Sequence, residues 1–89
     1  MSALLTIAPH IAWNNVEGEL ALFDTRNGSY HALNPSGAEI WRAIAAGQDE
    51  AQAAGALAAR YHAPHAEILA DIRAFIADAR ARGLLEDMA

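Results

Sequence analysis

Leu22-Phe23-Asp24-Thr25-Arg26-Asn27-Gly28-Ser29-Tyr30-His31-Ala32-Leu33-Asn34-Pro35-Ser36-Gly37-Ala38-Glu39-Ile40-Trp41 holds a strand, a turn, a returning strand and a helix start in one unbroken run. Asp24-Thr25-Arg26-Asn27-Gly28 closes a hairpin, because Asn-Gly readily takes the positive φ angles that tight turns demand. The strand before it, Glu19 to Asp24, alternates so that Leu20 and Leu22 share one face; Ser29 to Leu33 is the strand that returns. Asn34-Pro35 then starts a helix, since asparagine can cap open amides and proline at the first helical position forfeits no hydrogen bond.

Working outward, His10 to Trp13 reads as a short extended stretch and Val16-Glu17-Gly18 as a turn, which makes three antiparallel strands in all. On the other side the chain becomes alanine-rich and periodic at helical spacing. Ile40, Trp41 and Ile44 form the buried stripe of the first helix, and Gly47 ends it. Asp49-Glu50-Ala51-Gln52 resembles a capping box and opens a second helix, whose inner face is Ala54, Leu57, Ala58 and Tyr61. Pro64 restarts the chain as the longest helix, which Gly83 stops. Steps of about 100° place Ile68, Ile72, Phe75 and Ala79 on its core face, with Leu69 and Ile76 at the shoulder. Arg73 and Arg80 lie beyond that shoulder, and Glu67, Asp71 and Asp78 occupy the opposite flank. Both Trp41 and Trp13 are expected in the core.

The 89 residues suit a single domain spanning 1–89, with little surplus stability to support a deep catalytic cleft. The sequence has no cysteine, which removes disulfides and thiolate chemistry, and a reducing cytoplasm fits that usage. No apolar run approaches the roughly 18 residues that span a bilayer, so no membrane association is expected. Six arginines and no lysine stand against 11 acidic residues, a net charge of −5 that opposes nucleic-acid binding. His10, His31, His62 and His65 include no second closely spaced pair to complete a zinc site, so neither a metal nor any other cofactor is expected. No nucleophile, base and orienting group can be assembled, and Asp49-Glu50 and Glu86-Asp87 are explained by capping and solvation. The chain is expected to bind rather than to catalyse.

The quoted run resembles the signature of PqqD-like proteins: an aspartate-led hairpin, an aromatic-bearing strand, Leu-Asn, and a helix start of small residues ending in an apolar pair. Leu57-Ala58-Ala59-Arg60-Tyr61, Asp71-Ile72-Arg73-Ala74-Phe75-Ile76 and Gly83-Leu84-Leu85 are similar to the rest of that family. The resemblance runs from about Val16 to Leu85. It implies an α+β, winged helix-turn-helix-like fold, with a three-stranded antiparallel sheet followed by three helices. It also implies a non-catalytic recognition element that binds the leader of a ribosomally made precursor peptide as an added strand. That strand would lie against Ser29, Tyr30, His31, Ala32 and Leu33, in a groove closed by the third helix. The helix contacts would come from Leu69, Asp71, Arg73, Ile76 and Arg80; were the peptide to approach the other flank, Asp71 and Asp78 would select a basic leader.

Within the family, Asp24-Thr25-Arg26-Asn27-Gly28 and Leu33-Asn34-Pro35-Ser36-Gly37-Ala38 are most similar to the stand-alone proteins of lasso-peptide clusters. The partners would then be a leader peptidase and an ATP-dependent macrocycle-forming enzyme. One alternative is a peptide chaperone for a radical SAM enzyme in pyrroloquinoline quinone synthesis. Another is a DNA-binding winged helix, disfavoured by the acidic third helix, and an exposed edge strand would also permit a homodimer.

Overall fold

The computed structural model describes residues 5–17 and 19–87. Its elements run β1 (Leu5–Ile7), β2 (Ile11–Val16), β3 (Glu19–Asp24), β4 (Ser29–Leu33), α1 (Pro35–Ala45), α2 (Glu50–Tyr61), α3 (His65–Ala81) and β5 (Leu85–Asp87). Strands β2, β3 and β4 form one antiparallel sheet in that order, and the three helices follow as the sequence leads one to expect. β2 runs on to Val16, further than expected, and Glu17 beyond it takes a positive φ of 50°. The rest of the expected turn, at Gly18, lies outside the described residues.

Strand alternation sets the two faces of this sheet. Leu20 and Leu22 are fully buried, and pairing Leu20 with Leu33 and Leu22 with His31 turns those side chains the same way. Ala21 and Phe23 point outward, opposite Ala32 and Tyr30. The β3–β4 turn is closed by the Gly28 amide donating to the Asp24 carbonyl at 2.8 Å, with Gly28 at φ +73°.

Among the described residues Asp24 is the one charged residue in the core, at 2% exposure. Its carboxylate accepts from the Arg26 amide at 2.9 Å and from the Arg26 guanidinium at 2.9 and 3.2 Å. That pairing satisfies a charge which burial alone would penalise. The guanidinium in turn covers Gly83, where an added Cβ would come within 2.8 Å of it. His10 joins the same corner, its Nε2 lying 2.9 Å from the Gly83 carbonyl oxygen. The hairpin is thereby tied to the turn that ends α3.

Helices α1 and α2 begin where their caps place them, whereas α3 starts after Pro64 without a side-chain cap. The Asn34 side chain accepts from the Gly37 amide at 2.8 Å, with Pro35 at the first helical position. Asp49 and Gln52 form a complete capping box, their reciprocal bonds 2.8 and 2.9 Å long. α2 ends at His62, left-handed at φ 54°. The core gathers Leu20, Leu22, Trp41, Ile72 and Ile76 between the sheet and the helices. Burying each large aliphatic there contributes roughly 1.5–3 kcal/mol.

Three expectations about packing change. Tyr61, expected on the inner face of α2, is 49% exposed, since it stands in the last turn of that helix where the groove opens. Trp13 is not core: it stays 39% exposed, and its ring meets buried Trp41 edge-on with centroids 6.5 Å apart. It sits on the edge strand β2, where the sheet ends and cover is incomplete. On α3, Ile76 is buried at 4% exposure whereas Phe75 is only half-buried, so the core stripe is rotated from the expected Ile68–Phe75 side. The cause is a second antiparallel ribbon, β1 with β5, in register Leu5↔Asp87 and Ile7↔Leu85. Leu5 from this ribbon borders a small crevice with Ile44, Ile72 and Ile76, covering the shoulder of α3.

Candidate functional site

A sheet edge and a groove meet at the end of β4. β4 pairs only with β3, and among the described residues no strand lies along its other side. Such an edge presents amides and carbonyls able to accept another extended chain. Ser29, His31 and Leu33 are half-buried, while Tyr30, at 66%, and Ala32 are exposed.

Past Leu33 the chain turns into α1, and a groove of about 370 Å³ opens there. α1 supplies Ser36, Gly37 and Ile40; α2 supplies Leu57 and Tyr61; α3 supplies Ile68, Asp71, Ile72 and Phe75; Asn34 stands at the mouth. The lining is mainly apolar, which suits side chains of a bound ligand better than solvent. Gly37 packs closely: a Cβ there would lie 3.3 Å from the Phe75 ring and 3.2 Å from the Asn34 oxygen that caps the helix, so both would have to give way slightly. The absent side chain lets the ring close against the start of α1.

The sequence-expected residues divide between two sides of α3. The five residues of β4 form the free edge, and Asp71 lines the groove next to it. Arg73 and Arg80 face elsewhere: the Arg73 Nε donates to Glu50 at 3.1 Å, and Arg80 pairs with Asp87 on β5. Ile76 is covered by β1, and Leu69 packs half-buried against the core without lining the groove. Ile68, Phe75, Tyr61 and Gly37 were not singled out as ligand contacts, although all four line the groove. The available signal was that Ile68 and Phe75, seven apart, mark one edge of the apolar stripe.

The arginines are largely committed to internal partners. Arg26, Arg60, Arg73, Arg80 and Arg82 pair with Asp24, Glu39, Glu50, Asp87 and Asp78, and Arg42 donates to Asn15. Asp71 and Glu67 have no ion-pair partner among the described residues. At the far end of the groove, Tyr61 donates its hydroxyl to Glu39, and that bond holds the phenol above its ordinary pKa. The Arg26 hydrogen bonds act oppositely on Asp24, lowering its carboxyl pKa from 3.8 to about 2.

Among the described residues no helix is long and apolar enough to cross a membrane. The histidines are dispersed, with His10 before β2, His31 on β4, His62 at the end of α2 and His65 opening α3.

Comparison with known proteins gives a consistent result. Residues 19–85 match the family described as coenzyme PQQ synthesis protein D, PqqD. Two solved structures share the fold. One is TbiB1 in complex with the TbiA(beta) leader peptide, 24% identical, with a TM-score of 0.88 over 94% of this chain and 98% of that one. The other is lasso peptide synthetase B1 complexed with the leader peptide, 25% identical, with a TM-score of 0.89 over 94% and 99%. No curated protein sequence matches the chain.

Proposed function

The chain belongs to the PqqD family, and from that premise we propose that it is a leader-peptide-binding adaptor, a recognition element for a ribosomally synthesised precursor peptide. The observation that carries this reading is the free edge of β4 running into the apolar groove between α1, α2 and α3. A leader adds to the sheet as a strand on β4, where main-chain hydrogen bonds supply sequence-independent affinity. Its side chains beyond Leu33 enter the groove, and the fit there supplies selectivity.

The adaptor holds the leader and leaves the chemistry to separate enzymes. Similarity to lasso peptide synthetase B1 in its leader complex favours a lasso-peptide pathway. There the modifying partners are a leader peptidase and a macrocycle-forming enzyme.

The test is titration of the isotope-labelled protein with candidate leader peptides from short reading frames near its gene. A dissociation constant on the order of micromolar or tighter is expected. Amide shifts should cluster on Ser29–Leu33 and on the groove faces of α1 and α3. Shifts confined to the β1–β5 ribbon, or binding no tighter than that of a scrambled leader, would refute the reading.

A further inference from the structure

The groove is apolar except at one wall. Asp71 is the only formally charged side chain lining it, it is exposed, and it has no ion-pair partner among the described residues. Glu67 lies one turn earlier on the same flank of α3, and it too lacks such a partner. The other acid close by, Glu39 on α1, is occupied by Tyr61 and Arg60. Among the described residues no arginine lines the groove, so the Asp71 carboxylate has no side-chain cation to neutralise it there.

Helix and strand spacing give this charge a register. Asp71 and Phe75 are four residues apart on α3, about 6 Å along its axis. Same-face side chains of an extended chain repeat every two residues, roughly 6.6 Å. An extended peptide that runs along α3 and seats an apolar side chain against Phe75 brings the side chain two residues away level with Asp71.

We propose that this groove selects peptides carrying a lysine or arginine two residues from an apolar anchor, with Asp71 as the specificity-determining contact. The inference rests on the reading of the chain as a peptide-binding adaptor and adds the chemical class of the segment bound. The anchor fills the space bounded by Ile40, Leu57 and Phe75, and the cation meets the carboxylate at the rim.

A displayed library of random peptides of about fifteen residues, roughly 50 Å when extended, exceeds the 38 Å long axis of the molecule and samples every register. It is selected in parallel on the native protein, Asp71→Asn and Glu86→Gln. The last variant removes the same unit of charge on β5, away from the groove. Peptides enriched on the native protein and on Glu86→Gln should share a basic residue two positions from an apolar one, and those enriched on Asp71→Asn should lack that bias. A selected peptide should bind Asp71→Asn about 2- to 5-fold more weakly, the range of an exposed ion pair, at unchanged melting temperature. The difference should shrink as salt rises.

Enrichment of peptides with no basic bias, or the same bias on Asp71→Asn, overturns the charge selection and leaves peptide capture standing. Equal loss of affinity in Glu86→Gln overturns it as well, assigning the effect to net charge. If no peptide is enriched over blank support, peptide capture fails and the selection rule falls with it.

Discussion

Ile72 and Phe75 are three residues apart on α3 and divide stability from recognition. Ile72 is buried at 1% exposure between sheet and helices, while Phe75 is half-buried and turns its ring to the groove. Truncating Ile72 to alanine should cost about 2–5 kcal/mol, a large part of the 5–15 kcal/mol typical of a folded domain. Phe75→Ala should cost less, because its ring is already partly solvated, yet weaken leader binding more per folded molecule. Thermal melts paired with leader titrations check this; equal loss of affinity in the two variants, after correction for unfolded protein, would contradict the division. From sequence the two residues share a stripe, and only the neighbours across the interface decide which one faces the core.

At the scale of the element, the β3–β4 hairpin is secured by a charge. The folded-state pKa of Asp24, about 2, lies below its ordinary 3.8, so the folded protein favours the ionised form. Its contribution is present above about pH 4 and is lost as pH falls from there through 2. Denaturant midpoints measured from pH 5 down to 2 should decline, and the decline should be shallower in Asp24→Asn; identical profiles would show that the Arg26 pairing contributes nothing. The hairpin and the first two helices were legible because their signals are local: Asn27-Gly28, the Asn34-Pro35 cap and the Asp49–Gln52 box each act within a few residues.

The β1–β5 ribbon had no such signal. Each strand has three residues, and register pairs Leu5 with Asp87, near opposite ends of the chain, with no turn between them to announce it. Missing the ribbon also misplaced Ile76, whose cover it provides. Leu85 is buried at 3% exposure, so Leu85→Ala should destabilise by about 2–5 kcal/mol. Leader affinity of the folded fraction should be unchanged, since no residue of the ribbon lines the groove. A loss of affinity alongside intact circular dichroism would show that the two sides are coupled.

For the whole molecule, the candidate site was legible in outline and not in orientation. The edge strand follows from strand order, and Asp71 from its flank, but a helical wheel gives directions relative to one axis only. Which flank meets the groove depends on where α1 and α2 cross α3. Arg73 and Arg80 illustrate this: their charge suggests a ligand contact, and tertiary packing pairs them with Glu50 and Asp87, outside the groove.

The pairing of Leu5 with Asp87 has an architectural corollary. The described chain enters and leaves the fold side by side, at a ribbon separate from the sheet that ends in β4. A polypeptide arriving at one strand of the ribbon and departing from the other needs no long connector to close the gap. The fold is thus shaped like a plug with both leads on one side. It can be spliced into a surface loop of a larger enzyme with its receptive edge still turned outward, so that capture and catalysis could be joined in one chain without redesigning either.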